Sequence, residues 1–373
     1  MAHRHPLRVF VACVCSVVLA AIVGLHRVEI GTVVQTSTSP STKKTRSTNT
    51  TFDEESLQYI PRGVVRTWSE RGFLIVFGIP SADIEGRRRR RYLQRASCWR
   101  FPNVATKLND FTGAMLVLYI MGRHPSHNFT YSAALKQEAA EWHDVIALPM
   151  NEGRSSTNKE MTGRGRWGIA AEVGMSRKTF LWFEMALRLL PRVSYIAKGD
   201  DDIFLRVPQF LADLQALPRQ GVYWGLFTVW NFKRNRVHLK IRFAAGMCYT
   251  LSRDVAEQLL SYEPLYRLMQ LSYSQEREEE FISLSVQHED VMVGRVLLMK
   301  LQYQPLVSVE AASCSFHEAR GRRKRSLVTW RSVAVHHVHE GDYAQLMARF
   351  TNAEVFTPRL QRSRSRAIMR FLC

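Results

Sequence analysis

The sequence predicts an α/β domain, a mainly parallel sheet flanked by helices, carried behind an N-terminal segment able to cross a membrane. Three observations point there: short apolar runs bounded by breakers, helical patterns between those runs, and an uncharged apolar stretch near the N-terminus.

The N-terminal stretch is Val9–Leu25, seventeen residues without a charge, preceded by His3, Arg4, His5 and Arg8. That length suffices to span a bilayer, and the preceding basic residues favour a cytoplasmic tail at residues 1–8. A cleaved signal peptide is the alternative reading, and both place the remainder in the secretory lumen. From Thr36 to Thr51, eleven of sixteen residues are Ser or Thr. Such a segment buries too little apolar area to offset its ordering entropy, so a stem is expected over 26–70. Asn49 and Asn128 each open a glycosylation sequon. Tail, anchor, stem and a domain over 71–373 form the plan of a single-pass type II membrane protein with that domain in the secretory lumen.

Within that domain, Phe73–Ile79, Ala114–Met121, Val145–Leu148 and Val193–Ala197 have the length and β-branched or aromatic content of buried strands. Tyr131–Trp142 and Arg177–Leu190 carry helical patterns between them. In sheets built this way, ligands bind where loops leave the carboxyl ends of the strands. The chain has no internal repeat and no glycine-rich phosphate loop.

A hydrophobic share of 46% argues against wholesale disorder. The formal net charge of +19 suits phosphates, nucleic acid or anionic lipid without choosing among them. Arginines cluster at 87–91, at 320–325 and in the tail beyond 359. Cys13 and Cys15 fall in the apolar stretch. In an oxidising lumen Cys98, Cys248, Cys314 and Cys373 allow two bridges by three connectivities, and no CxxC spacing suggests zinc.

Three constellations carry chemistry. Lys198-Gly199-Asp200-Asp201-Asp202 follows the strand ending at Ala197. Adjacent carboxylates repel unless a cation joins them, and alternation lets Asp200 and Asp202 converge on one ion. Oxygen ligands with room left for phosphate suit Mn²⁺ or Mg²⁺. His288-Glu289-Asp290 opens an apolar helical stretch reaching Leu301, which makes Asp290 a candidate general base. His336-His337-Val338-His339 follows the apolar run Val333–Val335 and offers an imidazole ligand.

The order KGDDDIF, VYWG (222–225), FAAGMCYTLS (243–252), EDVMVG (289–294) and HH resembles the β-1,3-glycosyltransferase family, which includes galactosyl- and N-acetylglucosaminyltransferases and fringe-like proteins. The likeness runs from about Phe73 to Phe350 and is strongest over 195–294. It implies a GT-A fold, a UDP-galactose or UDP-N-acetylglucosamine donor, a divalent metal, a glycan acceptor on glycoprotein or glycolipid, and inversion to a β-linkage, by default β-1,3. Carried across, Asp200 and Asp202 are the metal-binding acids and Asp290 the base. His337, with His336 as substitute, is the late metal ligand. Lys198, Asp200, Asp201 and Gly246 are expected at the donor, with Arg91 and Arg95 toward its diphosphate. Trp167, Tyr223 and Trp224 are candidates to line the sugar site, since aromatic faces pack on sugars.

Two segments depart from the family pattern. RRRRRYLQRASCW leaves open which arginine of 87–95 meets the diphosphate, and 151–174 leaves acceptor and linkage open. A nucleic-acid binder would account for the charge but not for anchor, stem and carboxylates, so no nucleic-acid partner is expected. A glycan-binding relative without activity has no need of three costly acids. A metal-dependent phosphoesterase would call for a second ligand cluster.

Overall fold

The structure is a computed structural model that describes residues 52–159, 165–234, 237–319, 328–363 and 367–373. The expected tail, anchor and Ser/Thr-rich stretch, the sequon at Asn49 and the arginine run at 320–325 lie outside those residues. Among the described residues no helix is long and apolar enough to cross a membrane.

The expected stem boundary at residue 70 is too late. Helix α1 (Arg62–Glu70) puts Trp68 fully inside, edge-on to Phe111 with ring centroids 5.5 Å apart. Asp53 is also tied to Arg188 at 2.7 Å. Val64, Val65 and Trp68 lie three and four residues apart, so they share one helix face, and the charged residues among them concealed it.

Next come β1 (Ile75–Pro80), α2 (Glu85–Ala96), β2 (Val104–Ala105), β3 (Met115–Arg123), α3 (Ala133–Trp142), β4 (Val145–Asn151) and α4 (Ile169–Leu189). After them are β5 (Tyr195–Gly199), β6 (Ile203–Leu205), α5 (Val207–Gln215), and the long antiparallel pair β7 (Val222–Arg234) and β8 (Val237–Ser252). The main sheet orders its strands β12-β13-β9-β7-β8-β5-β1-β3-β2, with β4 also on β3. Here β9 is Val307–Glu310, β12 Leu360–Arg362 and β13 Ile368–Phe371. Six of its nine pairings are parallel, an α/β arrangement compatible with a Rossmann-like fold.

Both faces of the sheet are buried. Ile75, Phe77 and Ile79 enter one core, while Val76, Leu116 and Ile196 enter the other with Trp182 of α4. Covering both sides explains why these strands read as unbroken apolar runs rather than alternating ones. Helix α4 begins eight residues before the expected Arg177. Gly174 and Ser176 look like breakers, yet Gly174 lets the helix approach the backbone at Gly153 and the Ser176 hydroxyl donates to the Val286 carbonyl.

A second sheet has three strands: β10 (Phe316–Glu318) parallel to β11 (Ala334–His336), and β11 antiparallel to β6. Its register aligns Glu318, His336 and Ile203 in one row. Cys314 and Cys373 are joined. The second expected bridge does not form: Cys98 and Cys248 are free thiols buried in the core, where they pack as small apolar groups.

Helix α6 (Arg253–Ser261) follows β8, and further on α7 (Glu289–Arg295) lies across β8. Gly294 permits that crossing, because a Cβ there would meet Phe243 Cβ at 2.3 Å and the Arg242 carbonyl at 2.6 Å. Gly294→Ala should therefore lower the free energy of unfolding in urea by about 1–3 kcal/mol, as overpacking does; an unchanged midpoint would show that the contact has slack.

Candidate active site

Strand β5 carries Lys198 inward and ends at Gly199, and the three aspartates follow in the turn to β6. They diverge in the alternating way their spacing implies. Asp201 faces the protein: it accepts from the Ser81 hydroxyl at 2.7 Å and pairs with Arg87, with Arg90 at 3.3 Å. Asp200 and Asp202 converge on one atom, and the second oxygen of Asp202 lies 3.5 Å from Arg90. His336 Nε2 lies 3.3 Å from Asp200 Oδ2 and 3.2 Å from Asp202 Oδ1.

Pairing of β11 with β6 delivers that imidazole, and Glu318, aligned with His336 on β10, lies 3.1 Å from its Nδ1. Burial opposes a charge on His336, but Asp200, Asp202 and Glu318 outweigh it and hold its pKa well above the ordinary histidine range. Burial likewise opposes ionisation of Asp202, yet His336 keeps it below the usual carboxylate range. A cationic ring thus holds two acids together. His337 leaves the strand with φ of 55°, a left-handed conformation uncommon for such a side chain, stacks on His336 at 3.9 Å, and meets Glu318 at 2.5 Å. Asp202, His336 and His337 offer ligand atoms within 4.8 Å of one another. Their mixed oxygen and nitrogen donors are a set that a divalent metal ion can share.

On the other side of Asp200 is Lys198, 2% exposed. Its ammonium lies 2.6 Å from Asp200 Oδ1 and 3.1 Å from Glu289 Oε2, and donates to the Gly246 carbonyl at 2.7 Å. The Tyr249 hydroxyl holds the other Glu289 oxygen. Asp290 accepts from the Gly246 amide at 2.9 Å and from the Val291 amide at 2.8 Å. Burial, then the charge of Glu289, push Asp290 up to about 7 against the pull of Lys198. A Cβ on Gly246 would sit 3.3–3.4 Å from Asp290, Glu289 and Lys198 together, so glycine keeps this junction open.

Residues expected at the site therefore meet: Lys198, Asp200, Asp202, Gly246, Asp290 and the two histidines. Between the histidines, the substitute His336 faces the acid pair and His337 faces Glu318. Asp201 backs the turn rather than facing outward. Arg91 and Arg95 are not brought to the front. Arg91 is fully buried in a two-point pair with Glu138, and Arg95 pairs with Glu138 and Asp144. Arg87 and Arg90, one turn earlier on α2, hold Asp201 instead. Trp224 and Tyr223 are core residues: Trp224 stacks on Phe210 at 5.0 Å, and the Tyr223 hydroxyl accepts from the Ala244 amide. Trp167 is half-buried, with the Lys159 ammonium 4.8 Å from its ring. Glu289 and Glu318 were not singled out by the sequence reading. Glu289 directly precedes Asp290, while Glu318 has no local signal because strand pairing alone brings it to His336.

The chain matches no known family model and no curated protein.

Lys198 gives a direct test of the junction. Replacing it with Met leaves Asp200 and Glu289 without their shared cation, and breaking a buried pair from one side costs about 3–5 kcal/mol. Urea unfolding of Lys198→Met at neutral pH should show a loss of that order. A loss below about 1 kcal/mol would mean that the ammonium is not what holds these acids.

Proposed function

We propose that this protein is a metal-dependent, inverting glycosyltransferase with a GT-A fold, moving galactose or N-acetylglucosamine from a UDP-sugar to a glycan hydroxyl. The observation that carries the reading is the meeting of Asp200, Asp202 and His336 with Lys198, Gly246 and Asp290 at the carboxyl end of β5. Four sequence blocks spread over 198–337 supply them, and this is where open α/β sheets bind ligands. A type II Golgi protein with this domain in the lumen, acting on glycoprotein or glycolipid glycans, completes the proposal.

Asp202 and His336, with His337 or Asp200, would hold the cation, whose role when bound is to neutralise charge on the leaving diphosphate. The other work falls to the chain. Asp290 takes the proton of the acceptor hydroxyl as that oxygen attacks the anomeric carbon. Each of its oxygens already accepts one backbone amide, which fixes the carboxylate and leaves a lone pair free for the hydroxyl. A pKa near 7 suits a base working near neutrality. Lys198 keeps Asp200 ionised and turned toward the histidines: burial opposes that charge, and Lys198 is the first group to offset it. Attack from the face opposite the leaving group inverts the anomeric centre.

The arginine run on α2 gives no support to a nucleic-acid binder. Arg87 and Arg90 pair with Asp201, Arg88 with Glu85, Arg89 with Glu340 and Arg91 with Glu138.

Release of UDP by the purified protein, from UDP-galactose and UDP-N-acetylglucosamine with and without Mn²⁺, tests the reading. One donor should turn over only with metal, and Asp202→Ala should abolish it. Absence of any metal-dependent UDP binding sinks the proposal. Asp290→Asn should lower turnover by about 10²–10⁴-fold with UDP binding intact. Because the base must be deprotonated, kcat/KM of the parent should rise with pH through about 7. Near-parent turnover of Asp290→Asn moves the base elsewhere.

A further inference from the structure

A cavity of about 360 Å³ opens beside the segment that carries Asp290. His288, the residue immediately before α7, lines it, together with Gln287, Trp230, Lys233, Arg166 and Glu172. The rings of Trp230 and His288 are 4.8 Å apart and form one wall. The Arg166 guanidinium rests 5.5 Å from the Trp230 ring centroid.

Charge sets this cavity apart. On α2 every arginine from 87 to 91 is paired with a carboxylate. At this cavity, no carboxylate among the described residues pairs with Arg166 or Lys233. The one acid in the lining, Glu172, uses Oε1 to accept from the Trp167 amide. Burial, then the charge of Arg166, push His288 down to about 4, so at neutral pH the ring is an uncharged surface and adds no cation. An aromatic wall and two cations with no carboxylate partner among the described residues are the parts that bind a sugar bearing an acid group.

We propose that this cavity is the acceptor subsite and that it selects an anionic glycan, one whose sugar beside the reacting unit carries a carboxylate or a sulfate. Arg166 and Lys233 receive the anion, and Trp230 with His288 packs against the sugar ring. The guanidinium is already aligned by Trp230, so little side-chain freedom is lost on binding. The assignment of an acceptor role rests on the transferase reading. Recognition of an anionic sugar does not.

Calorimetric titration of the full chain in detergent, without UDP-sugar or metal, separates the two. The probes are a glucuronate-terminated, a 6-sulfogalactose-terminated and a neutral galactose-terminated disaccharide. At least one anionic probe should bind about tenfold more tightly than the neutral one, the usual worth of a charge-assisted contact. The arm that binds names the source of the charge, and binding of both names the shared chemistry. In Arg166→Gln/Lys233→Gln, whose changes lie on the surface, that preference should vanish. General attraction to a protein of charge +19 would leave it unchanged. Trp230→Ala should weaken all three probes. Equal binding of charged and neutral probes, or a preference that survives the double substitution, overturns the proposal. Selective binding by a protein that neither binds nor releases UDP keeps the anionic site and removes the transferase; turnover on neutral acceptors alone does the reverse.

Discussion

A buried ammonium organises this molecule. Lys198 sits at the end of a central strand with almost no access to water, where an uncompensated charge would cost several kcal/mol. It is tolerated because three acceptors surround it: Asp200 from its own strand end, the Gly246 carbonyl from the neighbouring strand and Glu289 from a helix. Each acceptor arrives on a different element, so β5, β8 and α7 must all be in place before the charge is satisfied. The fold and the site are therefore stabilised by the same contacts. Once Lys198 and Glu289 are set, Asp290 is left half-buried beside a like charge, which is what makes a carboxylate basic.

The two flanks of the site use opposite electrostatic logic. Around Asp200, Asp202 and Glu318, positive charge from Lys198 and His336 keeps the acids ionised. Around Asp290, burial and Glu289 favour the proton. Carboxylates a few residues apart in space thereby hold and release protons over different ranges, a division suited to binding charge on one side and moving a proton on the other.

Much of this was legible in the sequence where the signal is local. The four apolar runs became β1, β3, β4 and β5 because burial on both faces removes alternation. The aspartate triplet could be read because a strand end turns its neighbours to opposite sides. The EDV and double-histidine blocks were visible as acids and imidazoles next to apolar runs. What stayed hidden depends on pairing across long separations. Glu318 reaches His336 only through β10 and β11. Arg91 and Arg95 look like any arginines of the run until Glu138 and Asp144 are placed opposite them. Trp224 and Tyr223 look like sugar-facing aromatics, yet both faces of β7 are covered there: Phe210 stacks on Trp224, while Phe227 and Tyr249 pack on Tyr223. Helix α1 was hidden by its charge, since a short amphipathic helix and a charged stem have similar composition.

The three-stranded sheet has one more consequence. In any sheet a one-residue slip turns every side chain of the strand to the opposite face, so a buried face fixes the register. Here Val335 is buried opposite Phe204 while His336 faces the acids beside it. A slip of β11 by one position would put His337 where His336 belongs, leaving a usable ring at the acids, but would push the His336 imidazole into the apolar slot of Val335. The desolvation cost of that ring would reject the shifted form. Adjacent histidines thus act as an error check on assembly, in which the misaligned state is penalised in the core even though its ligands would still look correct from outside.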